Sequence, residues 1–298
     1  MSSSLFPWLS LAVAILVLLA VDFVLFGRRG ITFRGSALWS VGWLALGAGF
    51  AGVMAAWRGS EAGGEYLSGY LIERSLSIDN IFVFALIFSA FAIPPSRQGG
   101  LLSLGIVMAL VMRAVFILIG AALLDAFHVT IYAFGALLVI TGVKLARHSA
   151  EEVHPDRNPA VRLVRRLWPG APITAAVVAA LATTDLIFAV DSIPAIFAVT
   201  DDAFIVFAAN AFALLGLRSL YFALSGMMER FHYLSHGLAL ILVFVGAKML
   251  LTDIWKIPTW LSLLVILLLL LAAVGLSLAR TRGRRPGIRS TTHDGAVA

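Results

Sequence analysis

The chain has 298 residues, 61% hydrophobic and 13% charged, with a mean hydropathy of +0.99. A soluble domain carries about a quarter charged residues, so this composition excludes a water-soluble globular protein. It has no cysteines, which excludes disulfides and thiolate metal sites, and in so apolar a chain the formal charge of +6 reads as membrane topology, not nucleic-acid binding.

Taken in order, apolar runs fall at 8–26, 37–57, 67–91, 100–124, 129–145, 173–193, 203–226, 234–251 and 260–279. Each approaches or exceeds the roughly 20 residues that cross a bilayer's hydrocarbon. The expected fold is therefore an all-α polytopic membrane protein with nine transmembrane helices, spans 1 to 9. Span 1 lacks a basic segment before it and a small-residue cleavage site after it, so it reads as a retained helix. Most of the 22 Lys and Arg lie in alternate connections, including Arg28, Arg29, Arg34, Lys144, Arg147 and the run Arg280–Arg289, whereas the opposite set holds Arg58 and Lys256. By the positive-inside rule the N-terminus lies outside and the C-terminus in the cytoplasm of a cell (inner) membrane.

The long connection, 147–171, reads as a cytoplasmic linker with a short surface helix over 160–168, its basic side chains beside anionic head groups. The tail, 281–298, is polar and expected to be disordered. Trp8, Trp168, Trp255 and Trp260 fall near span ends, as interfacial anchors do.

Spans three apart resemble one another. Span 3 carries Glu73-Arg74-Ser75-Leu76-Ser77-Ile78-Asp79-Asn80-Ile81 and span 6 carries Asp185-Leu186-Ile187-Phe188-Ala189-Val190-Asp191-Ser192-Ile193. Span 4 contains Met112-Arg113-Ala114 against Leu217-Arg218-Ser219 in span 7, and span 5 ends in Gly142-Val143-Lys144 against Gly246-Ala247-Lys248 in span 8. An odd number of spans per copy turns the second copy over, which predicts an inverted repeat, 67–146 and 172–252, with the site near the midplane where the copies meet. Residues 1–66 (spans 1 and 2) and 253–280 (span 9) are then peripheral.

Carboxylates at bilayer depth are costly unless paired, protonated or bound to a cation. Residues seven apart on a helix differ by about 20° and six apart by about 120°, so Glu73, Ser77 and Asn80 share one face, as do Asp185 and Ser192. Asp79 and Asp191 are turned away. All four acids converge only if the helices are central or broken near the second Asp, and Pro194, which cannot donate to the carbonyl of Val190, favours a break in span 6. Glu73, Asp79, Asn80, Asp185, Asp191 and Ser192, with Ser77 and Thr184 nearby, form an all-oxygen set suited to a hard divalent ion such as Mn²⁺, Mg²⁺ or Ca²⁺. Arg74, Arg113, Arg218 and Lys248 are candidate charge partners. They could neutralise the acids in structural pairs, release them when metal binds, or themselves form an anion site. Asp22 reads as a packed, hydrogen-bonded residue, Asn210 as an interhelical hydrogen bonder, and Asp125, Asp201 and Asp202 as solvated helix ends.

The two acidic stretches, 73–82 and 185–194, resemble the signature segments of the TerC (tellurium-resistance) family of integral membrane proteins. The resemblance runs from about span 2 through span 8. It implies manganese export, an association with tellurite resistance, an inverted three-helix repeat, and a metal pathway lined by Glu73, Asp79, Asn80, Asp185, Asp191 and Ser192. The expected function is thus a secondary transporter exporting divalent cations, with Mn²⁺ the transported ion and proton antiport the driving force. No prosthetic group, nucleic acid or enzymatic reaction is expected; the expected partners are the bilayer, the metal ion, and a second copy of the chain or secretion machinery. A membrane scaffold for secretion or insertion machinery is the competing reading, and an intramembrane aspartyl hydrolase ranks behind it.

Overall fold

The computed structural model describes residues 5–27, 33–147, 159–168, 170–224, 234–255 and 257–283; the side chain of Asp79 lies outside that description. The described residues form helices and short connections, without strands: α1 (Leu5–Gly27), α2 (Phe33–Arg58), α3 (Ser60–Ala90), α4 (Pro95–Ala126), α5 (Val129–Arg147), α6 (Pro159–Leu167), α7 (Ile173–Phe197), α8 (Ala203–Leu214), α9 (Leu217–Leu224), α10 (Leu234–Leu250) and α11 (Thr259–Gly283). Six of them (α1, α2, α4, α5, α7 and α11) are long and apolar enough to cross a membrane, and the bent pair α8–α9 makes a seventh. With 31 residues, α3 is long enough at about 1.5 Å per residue, but Glu61, Glu65, Glu73, Arg74 and Asp79 interrupt its apolar character. α10 has 17 described residues. The protein is a multi-pass membrane protein.

The helices show why so apolar a chain folds. On α4, Leu102, Ile106, Ala109, Arg113, Ile117 and Gly120 are buried, while Leu104, Val107, Val111, Val115, Leu118 and Leu123 are exposed. Both faces are apolar, because one packs against protein and the other meets lipid. At the centre, α3 and α4 both pack against α7 and α8, and α2, α10 and α11 flank α3. α6 lies against α7 as the short surface helix expected near 160–168; the tail beyond Gly283 lies outside the described residues.

Span 7 departs from expectation. Where one helix over 203–226 was expected, the chain bends by 42° between α8 and α9. Gly216 sits at φ +73, a left-handed conformation that costs any residue with a Cβ about 1–2 kcal/mol; its Cβ position is also filled by the Trp43 ring. The carbonyls freed at the end of α8 have no water to turn to, and each needs a protein donor. Arg74 supplies it: Nη1 donates to the oxygens of Ala213 (2.8 Å) and Leu215 (3.1 Å).

Span 6 departs the other way. Pro194 does not end it, and α7 runs through the proline to Phe197.

α5 and α10 run antiparallel and approach closely at their glycines. A Cβ on Gly142 would stand 2.8 Å from the Ala239 carbonyl oxygen and 2.8 Å from Val243 Cγ2; one on Gly246 would stand 2.7 Å from the Gly135 oxygen and 2.9 Å from Val139 Cγ2. The shift that carries Gly142 onto Gly246 also carries Val139 onto Val243 and Gly135 onto Ala239. The two close approaches are one contact seen from either helix, so this seam has a local two-fold relation.

Candidate functional site

Arg113, fully buried on α4, stands where the central helices meet. Its guanidinium grips Asp185 of α7 side-on, Nε to Oδ2 at 3.2 Å and Nη2 to Oδ1 at 3.0 Å. Such a two-pronged contact is the strongest geometry available to an arginine and a carboxylate. Nη1 makes a short ion pair with Glu73 Oε1 of α3, and it also donates to Asn210 Oδ1 of α8 at 2.9 Å and Ser192 Oγ of α7 at 3.4 Å. Asn210 closes the ring, its Nδ2 donating to Glu73 Oε2 at 3.3 Å. All five residues are at most 2% exposed.

Helical periodicity explains who takes part. Asp185 and Ser192 lie seven apart on an unbroken α7 and so face the same way. Asp191, six from Asp185, faces another neighbour: its Oδ1 accepts from Thr141 Oγ1 of α5 at 3.0 Å. Asp191 and Asp185 therefore do not converge: α7 runs unbroken through Pro194, and a six-residue offset on a continuous helix keeps the two acids about 120° apart. On α3, Ser77 and Asn80 are buried along the face that carries Glu73, and among the described residues the Ser77 hydroxyl has no hydrogen-bond partner.

Two carboxyl groups thus face one guanidinium, with an amide and a hydroxyl completing the shell. Of the expected charge partners, Arg113 alone joins the acids. Arg74 holds the α8–α9 break, Arg218 turns to Asp22 and Ser103, and Lys248 lines a cavity at the end of α10. Among the described residues no three Asp, Glu or His side chains gather closely enough to hold a metal ion; Arg113 fills the space between Glu73 and Asp185.

Asn210 is the participant that the sequence reading left out, placing it between helices but not in the site. A lone amide in an otherwise apolar run was the available signal, since such a group must find partners. Asp22 does what was expected, its carboxylate accepting from Trp43 Nε1 at 3.1 Å. Asp202 caps α8 by accepting from the Phe204 N–H at 2.8 Å and pairs with Arg58.

No solved structure matches the chain. Among curated proteins it is 44% identical over 297 residues to "Uncharacterized membrane protein STKORF319" of Myxococcus xanthus, covering 92% of each chain. It is 40% identical over 286 residues to "Putative membrane-bound redox modulator Alx" of Escherichia coli K12, covering 86% of this chain and 89% of that one. To "Uncharacterized membrane protein Mb2742" of Mycobacterium bovis the identity is 37% over 284 residues, 87% of this chain and 72% of the other. The model of the TerC integral membrane protein family matches residues 58–285. With both acidic stretches, the buried Arg113 centre and the helices from α3 to α11 inside that match, the chain belongs to the TerC family of integral membrane proteins.

Proposed function

We propose that the chain is a secondary transporter that exports divalent cations, with Mn²⁺ as its substrate, through the site built on Glu73 and Asp185. The observation that carries this reading is that the first acids of the two similar stretches meet at one buried point and already hold a cation there, the guanidinium of Arg113. A pair of carboxyls that binds a tethered cation in a dry interior can bind a free one when the tether moves away. Glu73, Asp185, Ser192, Asn210 and the unpartnered hydroxyl of Ser77 are all oxygen donors, the class hard divalent ions prefer.

In this mechanism Arg113 and the metal ion exclude one another. Arg113 holds the acids in the resting state, since a bare carboxylate pair would be very costly at this depth. An arriving ion takes its place, and protons on the carboxyls drive release. Asp79, Asn80 and Asp191, from the same two stretches, are assigned in this reading to the ion's path. The reading takes the chain as nine spans with spans 3–5 and 6–8 an inverted repeat, supported by the matching approaches of Gly142 and Gly246, with its N-terminus outside and its C-terminus in the cytoplasm of the cell membrane. Its relatives' name speaks of redox modulation. Without cysteine this chain has no thiol to exchange, so a redox effect of it would run through the redox-active ion it moves.

The test is uptake of radioactive manganese by proteoliposomes, with and without a pH gradient. Wild-type protein should concentrate the ion when the gradient is present, and Glu73→Gln or Asp185→Asn should lower the flux at least tenfold. Wild-type rates in both variants would overturn the assignment.

A further inference from the structure

Beyond the arginine centre, the molecule has a polar cavity of about 260 Å³ at the end where α3 and α8 begin and α7 and α10 finish. Its walls include Glu65, Thr200, Asp201, Lys248 and Thr252, and its floor includes Phe197. Thr200 Oγ1 donates to Glu65 Oε2 at 2.7 Å. At about 30 Å³ per water, it has room for a divalent ion with its hydration shell.

The space between this cavity and Arg113 is closed by one layer. One turn towards the cavity from Glu73 stands Gly69, from Arg113 Ile117, from Ser192 Ile196, and from Asn210 Val206. Ile117, Ile196 and Val206 pack with Phe197 in one buried apolar cluster. A Cβ on Gly69 would stand 2.8 Å from Ile196 Cγ2, and one on Gly120 would stand 3.0 Å from the edge of the Phe197 ring. All four central helices therefore change from polar to apolar at the same height, and Phe197 spans that height, touching the cavity on one side and the cluster on the other.

We infer that this cavity is the vestibule through which a hydrated divalent cation passes between the site and this face of the membrane, and that Phe197 is the gate between them. The nature of the passing ion rests on the transport reading above; the route and the gate do not. The absence of native cysteine allows single-cysteine reporters in an otherwise unaltered chain. With purified protein in detergent and a small charged methanethiosulfonate, Thr252→Cys in the cavity should react readily, and Ser192→Cys below the layer at least tenfold more slowly. Adding Phe197→Ala should speed the reaction at Ser192→Cys at least tenfold, while Ala109→Cys, one turn to the far side of Arg113, stays slow. No reaction at Thr252→Cys, an unchanged rate at Ser192→Cys, or equal acceleration at Ala109→Cys would each overturn the inference. If Phe197→Ala does not give monodisperse protein, Phe197→Leu carries the same expectation and the same refutations. Because reactivity is read without any metal, a failure of manganese transport leaves this result independent.

Discussion

Arg113 and Arg218 occupy matching places in the two similar halves of the chain, yet they have opposite fates. Arg113, on the straight α4, reaches the centre and binds an acid from each half. Arg218 lies on α9, past the bend, and turns outward to the backbone oxygen of Asp22 (2.7 Å) and the hydroxyl of Ser103 (2.9 Å). The residue two before each arginine differs: Val111 continues α4, whereas Gly216 takes φ +73 and starts a new helix. Asn210 likewise stands where the first half has Gly105, and it brings an amide to the centre that the other copy does not. Two similar halves thus make one asymmetric site, in which a single guanidinium serves two carboxyls. The lesson is that similar stretches bring the same residues to the middle only where the helices that carry them are broken or unbroken alike.

The largest expected effect comes from removing the central cation. Arg113→Met should lower stability by about 3–5 kcal/mol, the cost of leaving buried acids without a partner, and thermal unfolding of the purified protein in detergent measures it. Adding Asp185→Asn should recover part of that loss. Arg218→Met should cost less than half as much, and equal losses would break the distinction between the two arginines. Gly216→Ala should cost at least about 2 kcal/mol, combining left-handed strain with the crowded Trp43 ring. Val111→Ala, at the matching lipid-facing position, should cost well under 1 kcal/mol. Asn210→Leu should lose about 1–3 kcal/mol by stranding a Glu73 oxygen and an Arg113 N–H. Asp22→Asn keeps an oxygen for Trp43 but removes the carboxylate charge beside the buried Arg218 guanidinium, so it should cost about 1–3 kcal/mol, read by the same thermal unfolding.

Much of the central site was legible from residue types and spacing. Glu73 and Asp185 stood out as acids in apolar runs, and Ser192, seven residues after Asp185, followed from helical geometry; Asn80, the same distance after Glu73, is buried but makes no described contact with the centre. Arg113 was visible as a charge partner, but Arg74 and Arg218 stood at comparable depth, with Lys248 nearer a helix end. Choosing among them needed the direction of each helix, which spacing does not supply. Arg74 and Arg113 point to different neighbours because their helices face different ones. The turn of Asp191 away from Asp185 was implicit in its offset of about 120°; a break favoured by Pro194 was one of two ways to undo it, and α7 does not break. The α8–α9 bend was harder to see, since glycine is frequent within membrane helices. What decided it was the tertiary setting: Trp43 occupies the Cβ position, and Arg74 waits with donors for the freed carbonyls.

The ion pair at the centre also has an order of arrival. Glu73 lies 40 residues before Arg113, whereas Asp185 follows it by 72. As the nascent chain leaves the ribosome, α3 and α4 can enter the bilayer as a hairpin that is already electrically matched, before α7 has been translated. Asp185 then meets a guanidinium fixed in position, and the later half is recruited to the earlier one by charge as well as by shape. A chain that swapped the arginine into the second half would have to insert Glu73 without its mate.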